Sequence, residues 1–162
     1  MIKTETPVNI LLVDDKPANL LALEAVLDSM NLNLMKAYSG EEGLQKLMLE
    51  DFAIVLMDVR MPEMDGFETA AMIHRRDPSQ KTPIIFLTAA QENEADVTRA
   101  YAVGAIDYLL KPFEPSILQT KVAVLIDLYR KNEGLRQLVD KLDRRIGELV
   151  TENSILKKEL NQ

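Results

Sequence analysis

The chain has 162 residues, a formal net charge of −7 at pH 7 and no cysteine. This length suffices for one ordinary core, and the lack of cysteine excludes a disulfide framework or a thiolate metal site. No apolar run approaches the roughly 20 residues needed to cross a bilayer, so we expect a cytoplasmic protein without a membrane segment. The first 113 residues carry 18 acidic and 10 basic side chains, an excess that argues against nucleic acid as a partner.

Apolar segments alternate with helical patterns along most of the chain. Strands are predicted at residues 8–13, 32–37, 52–57, 82–87 and 105–109. Helices are predicted at residues 17–30, after a capping Ser39, at 67–75 and at 94–102. Apolar runs without alternation are typical of strands buried on both faces of a parallel sheet. Strands that alternate with helices of about three turns predict a doubly wound α/β fold.

Polar side chains follow four of these apolar runs. Asp14 and Asp15 follow the first strand, Asp58 the third, Thr88 the fourth and Lys111 the fifth. In such sheets ligands bind outside the carboxyl ends of the strands, where the strand order reverses. The sequence therefore predicts three carboxylates, a hydroxyl and an ammonium at one edge of the sheet. That combination suits a divalent metal ion and a phosphoryl group.

These segments resemble the receiver domain of two-component response regulators over roughly residues 7–125. The matching runs are Leu12-Val13-Asp14-Asp15, Leu56-Met57-Asp58-Val59-Arg60-Met61-Pro62-Glu63-Met64-Asp65-Gly66, Leu87-Thr88-Ala89 and Leu110-Lys111-Pro112-Phe113. The resemblance implies a flavodoxin-like sheet of five parallel strands in the order 2-1-3-4-5. It also implies a switch that is driven by phosphorylation.

The resemblance assigns the phosphoryl chemistry to Asp58. This carboxylate would accept the phosphoryl group from a histidine kinase or a phosphotransfer protein. Asp14, Asp15 and Asp58 would hold Mg²⁺, together with the backbone carbonyl of Arg60. The long Arg60 side chain would either contact the phosphoryl group or remain in solvent.

A second group of residues is implied to respond to the phosphoryl group. Thr88 would donate its hydroxyl to a phosphoryl oxygen, and Ala89 beside it is implied to belong to the same phosphoryl-contacting and switch set. Lys111 would pair first with Asp58 and then with the phosphoryl group, and the bond to Pro112 is expected to be cis. Tyr108 matches the family's aromatic switch position and would turn inward when Thr88 moves.

The segment after Pro115 predicts one long helix with a heptad repeat. Leucine recurs every seventh residue, at Leu128, Leu135, Leu142, Leu149 and Leu156. The complementary positions are Asn132, Val139, Ile146, Asn153 and Leu160. Leucine at d with β-branched residues and asparagine at a favours a parallel two-stranded coiled coil. We therefore expect a receiver domain at residues 1–125 and a dimerising, signal-transmitting helix at 126–162.

Other functions fit the sequence less well. A Mg²⁺-dependent phosphatase lacks its nucleophile motif here, and a zipper transcription factor would need a basic helix before the zipper. The intact acidic set argues against a receiver that cannot be phosphorylated. His74 is expected to be solvated, and one histidine makes no metal cluster.

The output of the switch is left open by the sequence. We expect the coil to transmit the signal to a downstream effector in a longer protein. The alternative is a stand-alone dimeric receiver whose coil or receiver surface binds a partner protein. Neither is an enzyme beyond phosphorylation and dephosphorylation of its own aspartate.

Overall fold

The computed structural model describes residues 5–76, 82–89 and 94–162. Its strands are β1 Val8–Val13, β2 Leu32–Ala37, β3 Ile54–Met57, β4 Ile84–Ala89 and β5 Asp107–Lys111. Its helices are α1 Pro17–Leu27, α2 Gly40–Leu49, α3 Gly66–Arg76, α4 Glu94–Ala102 and α5 Pro115–Leu160. The strands form one parallel sheet in the order β2-β1-β3-β4-β5. The expected α/β class and strand order are confirmed.

The hydrophobic core follows from the position of each strand in the sheet. The central strands β1, β3 and β4 are almost entirely buried, while the edge strands β2 and β5 are half-exposed. Phe86 of β4 packs edge-on against Phe67 of α3, with ring centroids 5.3 Å apart. Burial on both faces explains why the central strands are continuous aliphatic runs.

The bounds of three strands differ from the predictions. β3 begins two residues later than expected, within the range over which strand ends are commonly assigned. β4 and β5 each lie two residues further toward the C-terminus. Ala105 belongs to the turn that ends α4, since its N–H donates to the Ala100 carbonyl at 3.1 Å. As a result, Thr88 and Lys111 lie within strands rather than after them.

Local structure defines where α1 ends and where α2 begins. The predicted helix at 17–30 tightens into a 3₁₀ turn over Asp28–Met30, and Asn31 follows it in the left-handed region at φ 53°, which asparagine tolerates. Ser39 caps α2, as predicted, by accepting a hydrogen bond from the Glu42 N–H at 3.1 Å. The Glu42 carboxylate in turn accepts from the Tyr38 N–H at 2.9 Å, one residue before the usual capping-box position.

The chain divides into two compact units, Met1–Ile126 and Asp127–Gln162. The first contains the sheet and the start of α5, whose Leu118, Val122, Leu125 and Ile126 are buried. The second is helical to Leu160, and every side chain after Glu133 is exposed. The helical part of the heptad prediction is thus confirmed, while pairing of two copies stays a prediction. Among the described residues, no helix has the length and apolarity needed to span a membrane.

Candidate metal and phosphoryl site

Three carboxylates meet where β1 and β3 end side by side. The two strands pair in register up to Val13 and Met57, so the residues that follow them are neighbours. The Asp58 N–H then donates to the Val13 carbonyl at 2.9 Å. One carboxylate oxygen from each of Asp14, Asp15 and Asp58 lies within 4.8 Å of the others. Pairing of adjacent parallel strands therefore produces the cluster that the sequence predicts.

Asp14 is the most deeply held of the three. It is only 2% exposed, and its carboxylate accepts hydrogen bonds from the Lys16 N–H at 2.9 Å and from the Asn19 side-chain amide at 3.0 Å. The Lys111 ammonium lies 3.4 Å from its Oδ2 atom. A buried carboxylate needs such donors, since burial of an unpaired charge is costly. These contacts fix the orientation of the Asp14 carboxylate.

Asp15 supplies the observation that points to a cation. Its Oδ1 atom is buried and has no hydrogen-bond partner in the part of the chain that the structure describes. A buried acceptor without a donor costs about 1–3 kcal/mol unless an ion or water satisfies it. Three carboxylates offer hard oxygen ligands of the kind that Mg²⁺ prefers. The residues present therefore fit a magnesium ion.

The electrostatics of Asp58 reflect its position within this cluster. Burial raises the pKa of its carboxyl, and the negative charge of Asp14 raises that pKa further. Lys111 and the backbone N–H groups of Val59 and Arg60 oppose the rise in the Asp58 pKa by stabilising the ionised form. The net shift is upward, so the ionised carboxylate is held in an unfavourable environment that a bound cation would relieve.

The ion pair of Lys111 differs from the expected one. The resemblance implied pairing with Asp58, whereas the structure pairs Lys111 with Asp14. Asp14 is the most buried of the three carboxylates, and attraction to a cation is strongest where solvent screens least. The Lys111–Pro112 peptide bond is cis. Lys111 nevertheless remains close enough to influence the charge of Asp58.

The remaining predicted residues lie on β4 and β5. Thr88 is buried near the end of β4, and Ala89, exposed at its last position, pairs in register with Lys111. Tyr108 is half-buried, with its ring centroid 6.4 Å from that of Phe86 in an edge-on contact. The sheet thus holds Thr88 and Ala89 on β4, beside β3, and holds Tyr108 and Lys111 on β5, one strand further from Asp58.

Two contributing residues had no role assigned from the sequence. Asn19 supports Asp14 from the first turn of α1, and the signal for this in the sequence is an amide five residues after Asp14. A Cβ at Gly66 would lie 2.4 Å from the Asp58 carbonyl oxygen, so a glycine is required where α3 begins. The expectation of a solvated His74 is wrong. The half-buried His74 ring lies against Val103, and its Nδ1 atom is 2.7 Å from the Val103 carbonyl oxygen.

A model of the response regulator receiver domain matches residues 10–123. The chain belongs to this family. Receiver domains of two-component systems are phosphoacceptor switches, which agrees with the acidic cluster described above. A likeness to solved structures supports the assignment. The receiver matches a CheY-like receiver domain protein from Methanospirillum hungatei JF-1 with a TM-score of 0.70 at 28% identity, covering 78% of this chain and 98% of that one.

Longer curated proteins contain similar sequences. The chain is 30% identical over 138 residues to the signal transduction histidine-protein kinase BarA of Escherichia coli strain K12. This match covers 85% of the chain and 14% of the kinase. The chain is 33% identical over 144 residues to a probable cyclic di-GMP phosphodiesterase of Vibrio cholerae, covering 86% of this chain and 32% of that protein. The chain therefore spans less than a third of the length of these two relatives.

Proposed function

We propose that Asp58 accepts a phosphoryl group from a phosphohistidine of a histidine kinase or phosphotransfer protein. The P–N bond of the donor would break as a P–O bond to a carboxylate oxygen of Asp58 forms. The leaving imidazole nitrogen would take a proton from solvent. The observation that carries the proposal is the convergence of Asp14, Asp15 and Asp58, with one buried Asp15 oxygen left without a donor in the described part of the chain.

Mg²⁺ would be held by Asp14, Asp15, Asp58 and the backbone carbonyl of Arg60. The ion would screen the repulsion among the carboxylates and neutralise charge on the transferring group. Lys111 is positioned by its ion pair with Asp14, and its flexible ammonium would turn to a phosphoryl oxygen on Asp58 as a point charge.

Thr88 and Tyr108 would connect the modified aspartate to the β4–β5 surface. The Thr88 hydroxyl would donate to a phosphoryl oxygen, at the end of β4 where Ala89 leaves room. Tyr108 would then turn further inward beside Phe86, which it already contacts edge-on. Such a change transmits a signal only if its contacts differ between the two states.

Labelling with a small phosphodonor tests the phosphoacceptor. Acetyl phosphate with Mg²⁺ should add one phosphoryl group, detected by intact-mass spectrometry, and Asp58→Asn should abolish it. Asp51→Asn, which removes an exposed carboxylate just before β3, is the matched control and should be labelled normally. Undiminished labelling of Asp58→Asn would place the phosphoacceptor elsewhere, and equal labelling in EDTA would remove the role of the metal.

We infer further that the second unit forms a parallel homodimeric coiled coil. Its a and d side chains, from Leu128 to Leu160, lie exposed along the helix of a single chain. Burial of each large aliphatic side chain contributes about 1.5–3 kcal/mol. Packing of this stripe against the same stripe on a second copy would therefore stabilise a dimer. Asn132 and Asn153 at a positions favour a parallel dimer in one register, and Glu152 would attract Lys157 of the second helix.

A pair of substitutions to glutamate tests the coil. Leu142→Glu places a charge at a central d position and should make the protein monomeric in sedimentation experiments at micromolar concentration. Gln137→Glu introduces the same residue at an f position, outside the seam, and should leave the dimer intact. A wild-type chain that sediments as a monomer would refute the coiled coil, and crosslinks that join the helices antiparallel would refute the arrangement.

The output is proposed to be a downstream effector that the coil connects to the receiver. Both longer relatives described above combine a similar sequence with additional chain, one as a kinase and the other as a probable cyclic di-GMP phosphodiesterase. A dimeric coil would suit an effector that acts as a dimer. The alternative is a stand-alone dimeric receiver that binds a partner protein. The reading frame beyond residue 162 distinguishes the two, since only a linked effector requires a further domain there.

A further inference from the structure

An ion pair links the loop that follows Asp58 to helix α4. The Arg60 Nη2 atom lies 3.9 Å from Oδ2 of Asp96 in the first turn of α4. The Arg60 side chain is 69% exposed and that of Asp96 is 26% exposed. One turn further along α4, the Arg99 guanidinium lies over the Phe67 ring, 4.6 Å from its centroid. Charged contacts from Asp96, in the first turn of α4, and from Arg99, in its last turn, thus help to hold α4 against the rest of the unit.

Arg60 is also anchored beside the proposed phosphoacceptor. It follows Asp58 by only two residues, and its backbone N–H favours the ionised form of the Asp58 carboxyl and so opposes the rise in its pKa. The Arg60 side chain therefore starts close to the atoms that would be modified. Arginine presents several N–H donors in a planar fork that matches phosphoryl oxygens. A phosphoryl group carries about two negative charges, more than the single charge of the Asp96 carboxylate. A phosphoryl group on Asp58 would therefore compete with Asp96 for the same guanidinium.

The present ion pair is weak enough to be displaced. A solvent-exposed pair of this kind shifts an equilibrium by only about 1.5- to 5-fold. A pair this weak can restrain α4 in one state without preventing an exchange of partners in the other. The exchange would involve a turn of the Arg60 side chain away from Asp96, a contact between two side chains that leaves the pairing of β3 with its neighbours untouched.

We propose that Arg60 exchanges Asp96 for the phosphoryl group on Asp58 and thereby releases the first turn of α4. This inference rests on the proposed phosphorylation of Asp58. In the unmodified protein Arg60 restrains α4 through Asp96. In the phosphorylated protein its guanidinium contacts phosphoryl oxygens, shields the acyl phosphate from water and leaves α4 less restrained. Asp96 is then a residue that sets the lifetime of the phosphoryl group without touching it.

Hydrogen exchange in the unmodified protein tests the restraint on α4. Asp96→Asn and Arg60→Gln should each speed exchange of the α4 amides by about 1.5- to 5-fold, and the double variant should be no faster than either. Glu94→Gln, which removes a charge from the same turn, is the matched control and should leave exchange unchanged. Unaltered exchange in both single variants would overturn the restraint. This part of the test needs no phosphorylation.

The lifetime of the phosphoryl group tests the exchange of partners. Asp96→Asn should slow loss of the label by about 1.5- to 5-fold, because the phosphoryl group then no longer competes with Asp96 for the Arg60 guanidinium. Glu94→Gln should leave the rate of label loss unchanged. In an Arg60→Gln background the Asp96→Asn substitution should have no effect. An equal effect in both backgrounds would refute the exchange. Labelling that persists in Asp58→Asn would instead refute the proposed function, so the two failures are distinguishable.

Discussion

At the scale of single residues, the acidic cluster is held by unequal surroundings. Asp14 is buried and accepts bonds from Lys16 and Asn19, whereas Asp15 keeps a buried oxygen without a donor in the described part of the chain. Asp58 has a raised pKa because of its burial and because of Asp14. The three carboxylates therefore differ in burial and in hydrogen bonding, which is consistent with the proposal that all three hold a cation while Asp58 alone is modified.

The raised pKa of Asp58 predicts a gain in stability when the charge is removed. Because the folded-state pKa lies above the unfolded value of about 3.9, the ionised carboxylate lowers stability at pH 7, and this penalty vanishes below that value. In EDTA, Asp58→Asn should raise the urea midpoint at pH 7, and the gain should shrink as the pH falls toward about 4. Asp51→Asn controls for general loss of a negative charge.

Two outcomes would contradict this interpretation of Asp58. The Asn variant could be less stable than the wild-type protein at pH 7, which would mean that Lys111 and the backbone donors outweigh burial. Alternatively, the difference could stay constant between pH 7 and pH 4, which would assign it to something other than titration of Asp58.

At the scale of secondary-structure elements, close packing at the start of α3 positions the site. Gly66 N–H donates to the Val59 carbonyl at 2.7 Å, and a Cβ at Gly66 would lie 2.4 Å from the Asp58 carbonyl oxygen and 2.9 Å from the Val59 Cα. These neighbours are backbone atoms, which cannot turn away as a flexible side chain can. The helix therefore approaches the residue after β3 as closely as a glycine permits.

Two glycine-to-alanine substitutions should have opposite effects. Gly66→Ala should destabilise the protein by about 1–3 kcal/mol through overpacking and should slow labelling of Asp58. Gly134→Ala, where a Cβ would meet nothing within 4 Å, should stabilise the helix by up to about 1 kcal/mol. Urea unfolding and the rate of acetyl-phosphate labelling measure the two effects. Normal stability and labelling in Gly66→Ala would show that α3 can move without affecting the site.

At the scale of the whole molecule, the two compact units have different sources of stability. Met1–Ile126 contains the sheet and its buried core, whereas Asp127–Gln162 exposes its apolar stripe in a single chain. A helix with an exposed apolar face gains most of its stability from packing against a partner. The first unit should thus fold alone, and the second should depend on association.

Truncation after Arg130 tests this division. The shortened protein should be monomeric, should unfold at a temperature that does not depend on its concentration and should still be labelled at Asp58. The complete chain should unfold at a higher temperature as its concentration rises, because dimerisation stabilises the folded state by mass action. Differential scanning calorimetry at several concentrations provides the measurement. A truncated protein that does not fold would show that the receiver needs the coil.

The amino-acid sequence by itself determined the elements, their order and the types of residue at the site. Aliphatic runs, helix caps and the heptad spacing are local signals, and the ends of adjacent parallel strands must lie together. Only the tertiary structure decided which side chains pair. Lys111 contacts Asp14, Arg60 contacts Asp96, and His74 lies against Val103. These partners are 29 to 97 residues apart in the chain, and their pairing depends on distances and burial that arise only when the helices pack on the sheet.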